Sequence, residues 1–356
     1  MMRMRLAPSL MLFAFSTIAF AASPRAIPVK VVVVAMFEQG ADTGDTPGEL
    51  QNWVERDHLD RIFPTPAAYH DVRMNAQGEM AILTGRGTAH AASSIMAVAL
   101  DPRFDFSHAY WIVAGIAGGC PDRVSLGSAV WARYVVDGDL GYEIDAREIP
   151  ADWPTGFLAL GKATPYQPLD KAPEGMAYAL NPTLTNWAFN LTRSVDLGDS
   201  DKLKESRSHF DGAAAQLPPR VFLGDTMSSS TFWHGKLLDE WASKWVPYMT
   251  NGKGVFATTA MEDTGTLQSL TTLARAGRVD LNRVMVLRTV SNYDRQPRGL
   301  TAPESLASQR VGSYSAYLPS LEAAYRVGHT VVNELLAHWS QYENRIPADA
   351  EARTTS

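Results

Sequence analysis

Four polar or glycine-rich segments of the chain follow apolar stretches, at the points where strands are predicted to end. They comprise residues 38–48, 84–88, 115–119 and 291–295. In open sheets with parallel strands, ligands bind in the crevice beyond the carboxyl ends of the strands. The glycines at positions 115, 118 and 119 leave room for main-chain N–H groups to approach a bound molecule. These segments are therefore where we expect a small molecule to bind and any chemistry to take place.

Several kinds of chemistry are disfavoured by motifs that the sequence lacks. Its eight histidines include no His-x-x-x-His pair with a third ligand, which disfavours a zinc site. No Gly-x-Ser-x-Gly motif occurs, which disfavours a serine hydrolase. The loop that contains Asp42, Asp45 and Glu49 is acidic, but its turn-forming composition explains it better than a metal site does. We therefore expect neither a metal ion nor a cofactor.

Short β-branched stretches alternate with helix-type stretches along most of the chain. This alternation predicts an α/β fold, namely a three-layer α/β/α sandwich with a mostly parallel, twisted central sheet. The glycines at 115–119 are expected to form a turn between two strands. Residues 138–220, rich in Pro, Gly, Asp and Trp, are interpreted as an insertion with one helix near 186–216, within a single domain of residues 22–356. Strands are predicted at 29–37, 80–84, 110–114, 128–136, 220–225, 254–258 and 283–290, and helices at 88–100, 235–245, 264–276 and 318–342.

The N-terminal residues have the pattern of a secretory signal peptide. Arg3 and Arg5 precede an apolar run that ends at a small-x-small site, Ala19-Phe20-Ala21. We therefore expect cleavage of residues 1–21 and a periplasmic or secreted mature protein. Beyond this leader no apolar run reaches about 18 residues, so no membrane insertion is expected after cleavage.

The formal charge narrows the classes of partner, and the cysteine content narrows the ways in which the fold can be held together. Removal of residues 1–21 takes the formal charge from -6 to -8, so nothing favours a nucleic acid as partner. The single cysteine, Cys120, cannot form an intrachain disulfide, so packing alone must hold the fold.

Six short motifs stand in a set order along residues 29–137 and 220–295. Together they resemble motifs of the purine nucleoside permease family and, through it, of the nucleoside phosphorylase and nucleosidase superfamily. The resemblance implies a nucleoside phosphorylase-like fold and a purine nucleoside as ligand. The motifs are Val34-Ala35-Met36-Phe37-Glu38-Gln39, Thr84-Gly85-Arg86-Gly87, Ala114-Gly115-Ile116-Ala117-Gly118-Gly119, Leu223-Gly224-Asp225, Met261-Glu262 and Arg288-Thr289-Val290-Ser291-Asn292.

The resemblance also implies a catalytic set. Glu262 is similar to the glutamate that holds the ribose hydroxyls. Glu38 or Gln39 stands where the nucleosidases keep the carboxylate that activates water, and Glu38 is the candidate because glutamine cannot act as the base. Arg288 resembles an arginine that orients this water and the ribose-binding glutamate. Asn292 departs from the aspartate that protonates the leaving purine, because an amide can bond the base but cannot act as a general acid. Asp294 nearby is a substitute if the loop bends.

The implied substrate-binding residues fall into two groups. Aromatic and sulfur-containing side chains would face or stack on the base, and they are Phe37, Phe232, Trp233 and Met227. The other residues come from the motifs that would surround the sugar and base, and they are Thr84, Gly115, Gly118, Gly119, Asp225 and Met261.

Three functions stay open at this point. The expected one is hydrolysis of the N-glycosidic bond to free base and ribose. A phosphorylase would need a phosphate site, for which Arg86 is the one candidate, and a protein that assists nucleoside uptake without catalysis would need no water-activating carboxylate. Because superfamily members complete the pocket with a residue of a neighbouring subunit, the resemblance also implies a homodimer.

Overall fold

The computed structural model describes residues 25–310 and 312–348. The expected signal peptide, residues 1–21, lies outside the described residues. No helix in the described ranges is long and apolar enough to cross a membrane. Cys120 is a free thiol and is buried.

Strands and helices alternate through most of the described chain. The strands are β1 (Ile27–Pro28), β2 (Val31–Ala35), β3 (Arg61–Phe63), β4 (Val72–Met74), β5 (Glu79–Leu83), β6 (Phe104–Asp105), β7 (Tyr110–Gly119), β8 (Ala129–Asp137), β9 (Tyr142–Glu143), β10 (Phe157–Leu158), β11 (Ala177–Ala179), β12 (Val221–Ser228), β13 (Phe256–Ala260) and β14 (Val284–Tyr293). The helices are α1 (Gln51–Arg56), α2 (Thr88–Ala99), α3 (Pro182–Thr192), α4 (Asp201–Ser208), α5 (Lys236–Met249), α6 (Asp263–Arg275), α7 (Ala302–Ser308), α8 (Tyr317–Ala337) and α9 (Trp339–Tyr342).

The central sheet has ten strands and is mixed, so the expectation of a mostly parallel sheet is wrong. Its order is β11-β8-β12-β13-β7-β2-β5-β4-β3, and β14 pairs with both β7 and β8. Strands β8, β12, β13, β7 and β14 therefore close into a barrel-like ring. The pairs β14–β8 and β13–β7 within this ring are antiparallel, as are the edge pairs β3–β4 and β4–β5. Such pairings join strands that are distant in sequence or too short to predict.

Helices pack on both faces of this sheet, because the side chains of its central strands alternate between two cores. Val31, Val33 and Ala35 of β2 belong to the core shared with α1, α3 and α8. Val32 and Val34 belong to the core shared with α2 and α6. A run of valines buried on both faces is the pattern of a central strand, and it places the end of β2 in the middle of the molecule.

The glycines of residues 115–119 lie inside strand β7 and not in a turn, which corrects the sequence expectation. Strand β7 runs the full length Tyr110–Gly119 because it has hydrogen-bonding partners on both sides. At its end, Gly118 and Gly119 pair with β13. Glycine inside a strand marks a sharp bend or a close approach by another group. Here the glycines permit close approach, because a Cβ atom at Gly118 would lie 2.8 Å from the Thr259 side chain and one at Gly119 would lie 2.6 Å from that of Val290.

The segment 138–220 contributes to the main core as well as to the surface. It holds two helices, α3 and α4, so the expectation of one helix near 186–216 is wrong. Asn181 caps α3 and Ser200 caps α4, and these two N-caps set separate helix starts. Leu184 and Trp187 of α3 lie in the same core as β2. The predicted C-terminal helix is likewise divided, into α8 and α9, at His338.

Candidate functional site

A cavity of about 300 Å³ opens where the central strands end. Its walls come from the ends of β2, β7, β13 and β14, from the segment after β12, and from the loop before α2. This is the edge at which ligands bind in α/β sheets, and the size suits a small molecule. The lining residues are Met36, Phe37, Glu49, Arg86, Ile116, Ala117, Gly118, Thr231, Phe232, Trp233, Thr259, Ala260, Met261, Glu262, Ser291, Asn292, Asp294, Gln309 and Tyr314.

Glu262 lies in the cavity wall between β13 and α6. Its carboxylate accepts hydrogen bonds from the backbone N–H groups of Gly87 at 3.3 Å and Met261 at 3.2 Å. Burial raises the pKa of Glu262, while the nearby Arg288 acts in the opposite direction. The backbone bonds and the cation fix the carboxylate where it can accept hydrogen bonds from hydroxyl groups of a ligand.

Arg288, on β14, supports this carboxylate from behind the cavity wall. Its Nη2 donates to Glu262 at 3.3 Å, its Nη1 donates to the main-chain oxygen of Ile116 at 3.1 Å, and its Nε donates to Asp263 at 3.1 Å. Burial works against its charge, but Asp263 and Glu262 outweigh that effect and hold the pKa of the guanidinium above its ordinary value. Arg288 thus joins the ends of β7, β13 and β14 through one buried cation.

Glu49 is the second carboxyl group in the cavity wall, and sequence reasoning did not select it. It follows the acidic loop and accepts hydrogen bonds from the backbone N–H groups of Met36 at 2.8 Å and Ile116 at 2.7 Å. Burial is the largest influence on this group and raises the pKa of Glu49 to about 8. A carboxyl group with such a pKa exchanges its proton near neutral pH, as a general base must.

Gly115 makes room for Glu49. A Cβ atom at this position would lie 2.4 Å from Oε1 of Glu49 and 2.0 Å from Cε of Met36. Only glycine leaves the space that this carboxyl group occupies. The glycine at position 115 therefore serves the site, because it leaves space beside β7 for the side chain of Glu49.

Glu38 does not line the cavity, in contrast to the role that the sequence resemblance implies for it. Its carboxylate accepts hydrogen bonds from the backbone N–H groups of Gln39 at 2.8 Å, Leu50 at 3.0 Å and Gln51 at 2.7 Å, and also from that of Gly48. Glu38 thereby holds the loop that carries Glu49 and the first turn of α1.

Two further polar residues line the cavity at the end of β14. The pairing of β14 with β7 shifts register between Val290 and Asn292, which places Asn292 beside Gly118. Asp294 follows two residues later and is 1% exposed. Neither carboxyl oxygen of Asp294 has a hydrogen-bond partner among the described residues. Burial and the nearby Asp239 raise the pKa of Asp294 well above its ordinary value.

Aromatic rings complete the walls. Phe37 and Trp233 are nearly buried, whereas Phe232 is 42% exposed at the surface side of the cavity. The guanidinium carbon of Arg86 lies 5.8 Å from the centre of the Phe37 ring. A flat apolar ligand fits against such rings, and an exposed cation stands at the same wall.

Comparison with known proteins shows which family the chain belongs to. The model of the family described as "Purine nucleoside permease (NUP)" matches residues 28–347. The chain belongs to the purine nucleoside permease family. A probable purine nucleoside permease of Schizosaccharomyces pombe is 31% identical over 328 residues, which are 88% of this chain and 90% of that protein. A purine nucleoside permease of Candida albicans is 31% identical over 268 residues, 74% of this chain and 65% of that relative.

The solved structures show which fold this family member has. A 5′-methylthioadenosine/S-adenosylhomocysteine nucleosidase from Neisseria meningitidis, in complex with methylthio-immucillin-A, superposes with a TM-score of 0.51. The match covers 86% of this chain and 99% of that chain at 15% sequence identity. The purine nucleoside permease family member thus has the nucleosidase fold.

Some residues that the family resemblance singles out lie elsewhere in the structure. Of the predicted site residues, the structure brings Phe37, Gly118, Phe232, Trp233, Met261, Glu262 and Asn292 together in the cavity wall, with Arg288 behind them. Asp225 instead pairs with Arg133 at 2.9 Å, and Met227 is buried in the core against α5. Thr84 bonds its own loop, and Gly119 packs on Val124 and Val290.

Proposed function

We propose that this protein binds a purine nucleoside in the cavity and hydrolyses its N-glycosidic bond to free base and ribose. The observation that carries the proposal is the presence of two buried carboxyl groups, Glu49 and Glu262, in one cavity wall beside the cation of Arg288. One group of this pair can clamp hydroxyls while the other accepts a proton from water. The nucleosidase fold and the family name support a nucleoside as the ligand.

The ribose would lie against Glu262, with its 2′- and 3′-hydroxyls donating to the carboxylate. Positive charge builds on the sugar as the bond to the base breaks, and a fixed carboxylate stabilises that charge. Arg288 keeps Glu262 from turning away, since the two share a buried ion pair. This part of the mechanism needs no movement of the protein.

Glu49 would take the proton of the attacking water. Its pKa of about 8 means that the basic form gains weight as the pH rises toward 8. The carboxylate is held by the backbone N–H groups of Met36 and Ile116, so it is positioned before the substrate arrives. The role first expected for Glu38 thus passes to Glu49 in this proposal.

The purine would lie between the aromatic residues and the end of β14. Phe37 and Trp233 offer apolar ring surface, and Asn292 offers both a donor and an acceptor to the edge of the base. The Asn292 side chain is buried and is not engaged by any charged partner in the described chain.

A second candidate function is binding for nucleoside uptake without catalysis. The names of the relatives favour it, since the proteins of Schizosaccharomyces pombe and Candida albicans are called purine nucleoside permeases. A protein of this kind would need the clamp of Glu262 but would gain nothing from a carboxyl group with a pKa of about 8.

Export through a signal peptide and assembly as a homodimer stay predictions.

The deciding experiment incubates mature protein with inosine, guanosine and adenosine, each with and without inorganic phosphate. Free base, ribose and ribose 1-phosphate are then separated by chromatography. We expect base and ribose without phosphate, and loss of both in the Glu49→Gln and Glu262→Gln variants. Strict dependence on phosphate would replace hydrolysis with phosphorolysis and would direct attention to Arg86. Saturable binding with no turnover would favour the uptake function.

A further inference from the structure

Three acidic side chains and one thiol come together where β7 and β14 end and α5 begins. Cys120 follows β7, Asp294 follows β14, and Asp239 lies in the first turn of α5. Each of these three residues is 1% exposed. The exposed Asp122 lies beside Cys120 and Asp239 and completes this acid–thiol cluster. The proposed hydrolysis gives the cluster no task.

One guanidinium group serves the three carboxyl groups of the cluster. Nη1 of Arg295 donates to Oδ2 of Asp122 at 2.7 Å and to Oδ2 of Asp239 at 2.8 Å, and Nη2 donates to Oδ1 of Asp122 at 2.8 Å. Oδ1 of Asp239 and both carboxyl oxygens of Asp294 are buried and accept no hydrogen bond from the described residues. Buried acceptors without partners are costly, as is uncompensated buried charge. The cluster therefore favours a further cation.

We propose that the acid–thiol cluster binds one zinc ion through Sγ of Cys120 and one carboxylate oxygen each of Asp122 and Asp239. The inference does not depend on the proposed function. The three ligand atoms lie within 4.8 Å of one another. Bonds of about 2.0–2.3 Å in a tetrahedral zinc site place ligand atoms roughly 3.3–3.6 Å apart, so side-chain shifts of about 1 Å complete the site.

Asp294 supplies an independent sign that a ligand belongs here. Its carboxyl oxygens are buried, so they point into the protein and not into the open cavity. Among the charged groups nearby, Asp239 acts most strongly on Asp294, and Asp294 acts most strongly on Cys120. The unpartnered carboxyl group therefore faces the cluster. A water molecule in the fourth position of a zinc ion with three protein ligands would donate a hydrogen bond to it.

The sulfur atom decides which kind of metal ion the cluster would take. Calcium and magnesium ions prefer oxygen ligands alone, whereas a thiolate favours zinc among the common divalent ions. On binding, the thiol proton of Cys120 would pass to solvent. Histidine motifs in the sequence do not indicate this site, because its ligands are a thiol and carboxylates from separate segments of the chain.

A second cavity, of about 440 Å³, gives the metal ion a route to the cluster. Asp122 and Arg295 are among the residues that line it. Zinc would enter from this side, where the exposed Asp122 can turn one oxygen from the guanidinium to the metal. Arg295 would keep its hydrogen bonds to the other carboxylate oxygens and so orient both ligands.

A zinc ion at this place would join the two strand ends to α5. Cys120 lies two residues after Gly118, and Asp294 lies two residues after Asn292, and both Gly118 and Asn292 line the first cavity. Because the metal would bind folded protein and not the separated segments of the unfolded chain, it should raise the melting temperature.

The test titrates metal-free mature protein, prepared with a chelator and without a histidine tag, with zinc chloride in a calorimeter. We expect one zinc ion per chain and a higher melting temperature in its presence. Cys120→Ser and Asp239→Asn should each weaken binding at least about 100-fold. The control is Asp211→Asn, which removes an exposed acid of the second cavity and should change binding less than about 3-fold.

Cobalt(II) in place of zinc identifies the sulfur ligand. A thiolate bound to cobalt gives an intense near-ultraviolet charge-transfer band that oxygen ligands do not give. We expect this band in the wild type and its loss in Cys120→Ser. If Cys120→Ser does not fold, the spectrum of the wild-type protein decides alone.

Three results would overturn the zinc site. They are a wild-type protein that does not bind zinc, a cobalt complex without the sulfur band, and equal zinc affinity in the wild type and Cys120→Ser. Unchanged affinity in Asp239→Asn, together with loss in Cys120→Ser, would overturn the ligand set as proposed.

Discussion

The Nη2 atom of Arg288 lies 3.3 Å from Oε2 of Glu262, and both side chains are buried. The same guanidinium also pairs with Asp263, and its charge extends to Glu49. One cation therefore faces three buried carboxyl groups. Burial raises the pKa of Glu49 to about 8, against the lowering effect of Arg288 and with a smaller raising effect of Glu262. The cation thus links the residue proposed to clamp the ribose to the residue proposed to activate water.

Replacement of Glu262 by glutamine is expected to remove the clamp and its charge. We expect kcat/KM for purine nucleosides to fall about 100- to 1,000-fold, because a neutral amide cannot stabilise the cationic sugar. Steady-state kinetics with inosine measures the loss. Binding of free purine base, measured by calorimetry, should stay within a few-fold because the proposed base position lies away from Glu262. An active Glu262→Gln variant would show that the site is assigned wrongly.

Loss of the Arg288 cation is expected to destabilise the fold as well as the site. Arg288→Met leaves the buried carboxylates of Asp263 and Glu262 without their cation, which costs about 3–5 kcal/mol of unfolding free energy. Urea unfolding measures this change. The control is Arg326→Met, which breaks an exposed pair with Glu322 and should cost about 0–1 kcal/mol. Equal stability of the two variants would contradict a structural role for the buried pair.

Much of the fold could be predicted because its patterns are local. The valines of β2 and the apolar positions of α6 repeat with the periods of a strand and a helix, and both elements formed where expected. The mixed character of the sheet could not be predicted. Strand β14 reaches both β7 and β8, and this pairing depends on contacts between residues far apart in sequence.

Sequence motifs singled out Glu262 and Asn292, and both residues line the cavity, although their roles stay predictions. Glu49 could not be found in this way. It lies eleven residues beyond Glu38 in a loop without periodicity, and its role depends on backbone N–H groups of β7, a strand distant in sequence. Composition indicated only that the loop turns. The tertiary contact, and not the loop sequence, makes Glu49 a buried acid.

The two glutamates of this loop are expected to respond differently to the same substitution. Glu49→Gln removes the proposed base and should lower kcat about 100-fold or more with inosine. Glu38→Gln weakens the hydrogen bonds to Gly48, Leu50 and Gln51 and should cost about 1–3 kcal/mol of stability, with kcat changed only a few-fold. Kinetics and urea unfolding of both variants separate the two roles. The reverse pattern would return the base to Glu38.

Addition of one methyl group at Gly115 is expected to disturb Glu49. The new Cβ of Gly115→Ala would overlap Oε1 of Glu49 and Cε of Met36, so the carboxyl group must move. We expect a loss of about 10- to 100-fold in kcat. Gly224→Ala is the control, because its Cβ would crowd Ala257 and Val130 away from the cavity. It should reduce stability by about 1–3 kcal/mol and leave kcat close to that of the wild type.

The buried Glu49 also predicts how stability depends on pH. Its folded-state pKa of about 8 lies above its ordinary value of 4.5, so the contribution of its protonated form is fully present below pH 4.5. That contribution is lost as the pH rises toward 8, because the folded state then holds a buried carboxylate. Glu49→Gln carries no such proton and should lose less stability across this range, by an amount on the order of 1–4 kcal/mol. Urea unfolding at pH 5 and pH 8.5 measures the difference, and parallel curves for the two proteins would contradict the raised pKa.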